Sequence, residues 1–192
     1  MKRSLIALAL AAMLPLSAQA GEIKYSFIEA GYASSDFFDE TFDGYAVKGS
    51  VDFGGNFYGS LSYRDVDNND FDVQFDETVL NLGYHHSLSD KADFIAEVGY
   101  VRVGTDIGGF GSDSSDGYRV AAGFRGLMAP KFEGEIKGYY TDINDLGDAE
   151  FGVTLGSVFH INQTWGITAS YDFTKFLDEN INTWGLGVRA SF

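Results

Sequence analysis

The chain of 192 residues contains no cysteine, two prolines and few cations, 13 Lys and Arg against 28 Asp and Glu. Without cysteine no disulfide can hold the fold, even in an oxidising compartment, so pairing and burial must do all of it. Pro15 and Pro130 are the two prolines, and only the second lies beyond the first twenty residues, which leaves room for many uninterrupted strands. The acidic excess argues against nucleic acid and against simple attraction to anionic phosphate. Beyond Gly21 no run approaches the eighteen apolar residues of a transmembrane helix.

The first twenty residues, MKRSLIALALAAMLPLSAQA, read as a cleaved secretory signal. They carry a basic start (Lys2, Arg3), an apolar run from Leu5 to Leu14, the breaker Pro15 and an Ala18-Gln19-Ala20 cleavage site. The mature chain is then residues 21–192, a single domain. Loss of the two signal cations leaves 11 Lys and Arg against 28 acids, a net charge of −17.

What the mature chain has in abundance is aromatics, glycine and a period of two. Tyr45, Val47, Gly49, Val51 and Phe53 alternate with Ala46, Lys48, Ser50 and Asp52, and the same grammar recurs along the sequence. It predicts ten strands, over 25–33, 45–53, 57–64, 77–86, 93–100, 118–126, 132–140, 151–159, 165–173 and 184–192. Eight strands is the alternative if the two less regular segments, 25–33 and 77–86, are loops. Connections alternate short (54–56, 87–91, 129–131, 161–163) and long (34–43, 65–76, 105–117, 143–148, 175–181), so each end of the sheet is expected to have its own style of loop.

The apolar face carries aromatics at both strand ends and aliphatics, Gly or Ala between them, as in Phe57…Tyr63, Phe132…Tyr140 and Trp165…Phe173. Two membrane–water interfaces flanking a hydrocarbon layer select that arrangement. The other face carries Glu29, Lys48, Asp52, Arg64, Glu97, Arg119, Arg125, Glu133, Glu135, Lys137 and Arg189. Turning its six cations to lipid would cost about 10 kcal/mol or more at ~2–4 kcal/mol each near the midplane. That rivals the ~5–15 kcal/mol that holds a domain together. The pattern therefore predicts a closed antiparallel transmembrane β-barrel, aromatics outward and charges inward, with no strand edge left in lipid.

A signal, alternating strands, short turns at one end and a last strand reading Trp184, Leu186, Val188, Ala190, Phe192 resemble the small outer-membrane β-barrels of Gram-negative bacteria. That resemblance implies both termini in the periplasm, a place in the cell outer membrane and in vesicles shed from it, and a monomer. It also implies contact with lipid and lipopolysaccharide, and use of the terminal alternation as the signal read by the barrel-assembly machinery. More narrowly, the N-terminus and the YSFIEAGYA strand resemble a family of small xanthomonad-type outer-membrane proteins described as quorum-sensing or plant-immunity activators.

Among candidate functions, the inward charges form a lumen charge network: an ion-pair plug, or the lining of a narrow, low-conductance porin-like pore. If the turn at 129–131 is tight, Arg125 falls opposite Glu135 across the hairpin. Twenty of the 28 acids fall in or beside the long connections, which are expected to be hydrated acidic loops. Asp65, Asp67 and Asp70, with Arg102 on the outer face, are candidate contacts for divalent cations and lipopolysaccharide. Asp65-x-Asp67-x-Asn69 with Asp76 mimics an EF-hand loop, but Asp70 stands where that loop requires Gly, and strands flank it. Neither a metal centre nor a cofactor is expected. His85 and His86 are adjacent on one strand and point to opposite faces, and both lie, with His160, beside short connections. Proteolytic and lipid A-modifying barrels place His near the outer rim, so catalysis is not expected. The expected role is structural or surface-interacting, through the acidic loops.

Overall fold

The computed structural model describes residues 23–37, 40–68, 70–109, 111–144, 150–176 and 179–192. The segment expected to be a signal peptide lies outside them. Ten strands follow one another: β1 (Phe27–Phe37), β2 (Glu40–Gly54), β3 (Phe57–Asn68), β4 (Val73–Ser89), β5 (Ala92–Ile107), β6 (Gly111–Ala129), β7 (Phe132–Ile143), β8 (Glu150–His160), β9 (Trp165–Phe176) and β10 (Glu179–Ser191). Each pairs antiparallel with its neighbours in sequence, and β1 pairs with β10, closing the barrel. Both less regular segments are strands, so the eight-strand alternative falls away.

Period-two side chains sort onto two faces, and the phase is the one the sequence predicts. Val47, Leu61, Leu80, Val98, Val120, Ile136, Val153, Ile167 and Val188 are exposed on the outer wall, a belt of aliphatics running round the barrel. Aromatic pairs border it. At the end away from the termini lie Tyr32–Trp184, with centroids 5.2 Å apart, Tyr45–Tyr63 at 6.1 Å and Tyr140–Phe151 at 5.1 Å. At the turn end lie Phe57–Tyr84 at 5.3 Å and Phe94–Phe124 at 5.8 Å. Proteins in water rarely expose so continuous an apolar surface.

The other end departs from expectation. Strands of 15, 17, 16 and 19 residues in β2, β4, β5 and β6 exceed the nine to eleven that cross a bilayer. Ser34–Asp43, Asp65–Asp76 and Thr105–Gly117 were expected as long loops, yet most of their residues are paired strand: Asp36 faces Thr41, Asp67 faces Gln74, and Thr105 faces Asp113. The reason is that alternation does not stop at the aromatic girdle; it changes polarity. Below the girdle apolar residues face out and charges face in. Above it Phe42, Val66, Val79, Val101 and Ile143 are buried inside, while Asp43, Asp65, Asp67, Asp76 and Asp106 hold the alternate positions on those strands. An acid-rich stretch resembles a loop until its partners' buried valines are counted as a core.

The interior is accordingly layered. Tyr25, Tyr58 and Ile95 cluster at the turn end, with Ile23 against them. A charged zone follows, then two apolar clusters near the opposite end, one around Ala33, Phe42 and Val66 and one around Val79, Val101 and Ile143. Two lumen tyrosines lie over glycines across the ladder. Tyr58 faces Gly83 and Tyr139 faces Gly152, and a Cβ at either glycine would come within 2.2 Å of the ring, so only glycine admits them.

Candidate functional site: the barrel lumen

Ten of the eleven lumen charges named from the sequence line this interior as three layers. Nearest the turns, Arg125 Nε meets Glu133 Oε1 at 2.6 Å, with both side chains buried. Glu133 also lies 3.2 Å from His160 Nε2 and 3.5 Å from Arg189 NH1. Arg189 closes on Glu29 at 2.8 Å and lies 4.0 Å over the Phe27 ring. In the middle, Lys137 Nζ bridges Glu97 at 3.0 Å and Glu135 at 3.2 Å, and Tyr58 donates to Glu97 at 2.8 Å. Lys48 enters this layer from β2, across the lumen from β7, with its Nζ 5.7 Å over the Phe27 ring. In the third layer Arg119 binds Glu77 at 2.8 Å and Arg64 binds it at 3.4 Å. Arg119 also donates to Thr141 at 2.8 Å. Asp52, the eleventh, sits at the turn-end mouth, 3.8 Å from His85 Nε2, with Oδ1 accepting from the Gly54 amide.

One pairing differs from expectation. Arg125 does stand opposite Glu135, but its ion pair goes diagonally to Glu133, two residues along the strand. Lys137 takes Glu135 instead, because the diagonal suits the long guanidinium and leaves each acid its own cation. Two further participants, Glu77 and Asp172, belong to the acids counted in or beside the long connections, at the ends of the strands expected over 77–86 and 165–173. Both face inward, and Asp172 accepts from Tyr139 at 2.7 Å and from Thr154 at 2.6 Å. Parity would have found them, since Glu77 alternates with outward Thr78 and Leu80, and Asp172 with Tyr171 and Phe173.

A feature without a sequence signal closes the turn end. Residues 23–26 leave β1 and cross the mouth, so 25–26, expected as the start of the first strand, lie outside it. Tyr25 donates to Asp93 of β5 at 2.8 Å, stacks on His85 of β4 at 4.1 Å between centroids, and lies beneath the Arg125 guanidinium at 4.8 Å. Arg125 also donates to the Lys24 carbonyl at 2.9 Å, and Lys24 Nζ donates to the Gln163 carbonyl in the β8–β9 turn at 3.2 Å. From the other end the lumen is not filled. A cavity of about 220 Å³ reaches from Glu29, Glu133 and Arg189 up to Arg64, Glu77 and Arg119.

On the outer wall Trp184, Leu186 and Val188 are exposed on β10 in line with Ala190 and Phe192, whose amide donates to the Ser26 carbonyl at 3.0 Å. Asp65 accepts from Tyr63 at 2.8 Å and from Gln74 at 2.9 Å, and the Asp70 amide donates to Asn68. Asp67 faces Asp43 across the β2–β3 ladder. Arg102 donates to Ser114 at 3.0 Å. Among the described residues no group of three or more His, Cys, Asp or Glu could hold a metal ion.

No family model matches the sequence, and no curated relative matches it either. Solved structures do. The NanC porin aligns with a TM-score of 0.50 at 9% identity, over 87% of this chain and all of that one. The fold is that of an outer-membrane β-barrel. Other similar structures are the attachment invasion locus protein Ail of Yersinia pestis (TM-score 0.41, 17% identity, 88% of this chain and 100% of that one) and Neisserial surface protein A (0.44, 14%, 86% and 95%).

Proposed function

We propose that this barrel sits in the outer membrane of a Gram-negative bacterium as a closed, non-catalytic scaffold that works through its acidic end. The observation that carries the reading is the double closure at the turns: the buried Arg125–Glu133–Arg189–Glu29 network, with the Tyr25 segment laid across it. A lumen shut there leaves the opposite rim, with its outward acids, as the surface able to meet something else. The exposed aliphatic belt and its aromatic borders support the membrane placement. On that reading the turn end is periplasmic, the tall acidic wall faces outside, the chain is monomeric, and vesicles shed from the membrane carry it along. Lipid and lipopolysaccharide are its neighbours, with Arg102 and the acids Asp65, Asp67 and Asp70 as candidate contacts. The outward row from Trp184 to Phe192 is the stretch offered to the assembly machinery. The three histidines lie at the turn end, away from the acidic rim, which supports a role without catalysis. Membership of the xanthomonad-type family stays a resemblance of the first strand, and a host or surface partner is unassigned.

The cavity above the closure favours a second reading, a narrow pore gated at its periplasmic mouth. Barrels of about eight strands are mostly filled by their own side chains, whereas open channels need about sixteen. Planar-bilayer recordings on refolded protein separate the two. The scaffold reading expects no discrete openings from the native chain, and openings would transfer the conclusion to the pore. Tyr25→Ala, which removes the cross-mouth contacts while leaving the Arg125–Glu133 pair, is expected to admit a small current.

A further inference from the structure

Beyond the Arg64–Glu77–Arg119 layer the lumen opens into a second cavity of about 220 Å³, toward the acidic end. The apolar part of its lining is formed by Phe37, Phe75, Val103, Ile143 and Ile181, and Phe37 and Phe75 stack in parallel with centroids 5.1 Å apart. Its charged lining is unequal. Arg64 and Arg119 face four acids, Glu77, Asp113, Glu150 and Asp172. Three of these acids are engaged: Glu77 by both arginines, Asp172 by the hydroxyls of Tyr139, Thr154 and Thr174, and Asp113 by the Ser114 amide.

Glu150 differs. It stands one residue above Phe151 of the aromatic girdle, clear of the apolar belt, and among the described residues it has no hydrogen-bond or ion-pair partner. A partly buried carboxylate without a partner is costly. Burial pushes its carboxyl up to about 7, Arg119 opposes that, and Glu77 and Asp172 reinforce it. Two cations thus share the lining with four acids.

We propose that this cavity binds a small organic cation, one ring bearing a short protonated amine, with the ammonium paired to Glu150 and the ring held against Phe75 and Ile143. Size sets the class: a cavity of about 150 Å³ holds benzene, so this one takes a single ring with a two- or three-atom arm. Sign sets the charge, because both guanidiniums are already committed to Glu77 and the remaining imbalance is negative.

The test uses the refolded full chain in detergent micelles at pH 8, titrated calorimetrically with 2-phenylethylamine, neutral 2-phenylethanol and anionic phenylacetate. The amine is expected to bind saturably at one site, at least tenfold tighter than the alcohol, with no saturable phenylacetate binding. Glu150→Gln, checked for native heat-dependent gel mobility, should erase the preference for amine over alcohol without abolishing alcohol binding. Lowering the pH from 8 to 6 should weaken amine binding as Glu150 protonates, and leave the alcohol unchanged. Absence of saturable amine binding, an alcohol that binds as tightly, tighter phenylacetate, or an amine preference that survives Glu150→Gln would each overturn the proposal.

Discussion

Arg125 and Glu133 make the shortest ion pair in the described barrel, and both are almost completely shielded from water. Bringing two charges into such a place costs several kcal/mol per ion, which their attraction offsets only while both are present. The single and double variants should therefore behave differently. Arg125→Met leaves Glu133 with Arg189 at 3.5 Å and His160 at 3.2 Å, longer contacts that recover part of the loss. The expected destabilisation is about 3 kcal/mol, the low end of the ~3–5 kcal/mol for stranding one partner of a buried pair. Adding Glu133→Gln should restore most of it. Urea unfolding followed by far-ultraviolet circular dichroism measures both, and a single variant as stable as the native chain would contradict the account. The pair also marks how far residue-level reading reaches. Inward placement of Arg125 and Glu133 follows from parity alone, but the choice of Glu133 over Glu135 depends on guanidinium reach, which alternation does not encode.

At the scale of elements, all ten strands were legible, because each carries at least four alternating positions across the membrane zone, where reversing the phase is expensive. Their upper ends were not. In 65–68, 73–76 and 103–107 acids take most of the outward positions where the inward ones become Val66, Val73, Phe75 and Val103, so composition suggests loop while spacing continues as strand. The segment at 23–26 was not legible either, since its contacts lie on β4, β5 and the β8–β9 turn, remote in sequence. Ladder pairing and loop conformations make opposite statements about exchange. Amides donating within the ladder at Val103–Ile107 and Ser112–Gly117 should exchange slowly in the micelle-bound protein, at rates near those of the membrane zone. Exchange within seconds across both segments would return them to loops. At 38–39 and 145–149, outside the described residues, the ladder makes no such statement.

For the whole molecule, the inversion of polarity places two different solvents on one wall, lipid around the belt and water around the acidic collar. The collar carries a cost that the belt does not. Asp43 stands directly opposite Asp67 across the β2–β3 ladder, and Asp65 opposite Asp76 across β3–β4, so like charges face each other on adjacent strands of one outer face. Each such pair is unfavourable by roughly 0.2–1 kcal/mol against a neutral one. Tyr63 and Gln74 relieve Asp65 by donating to it, and the Tyr32 hydroxyl donates to Asp43 at 2.5 Å, holding that carboxyl below its usual range. These bonds compensate locally but leave the net field, which salt screens over about 8 Å at physiological ionic strength. Thermal stability in a non-ionic detergent should therefore rise as sodium chloride goes from 20 to about 500 mM, since the collar repels itself while the buried lumen pairs are screened little. In Asp65→Asn/Asp76→Asn one facing pair is gone, so the variant should start higher and respond less. A melting temperature that falls with salt would mean that the outward charges are net attractive, and that the collar is held by ion pairs rather than by its valine and phenylalanine lining.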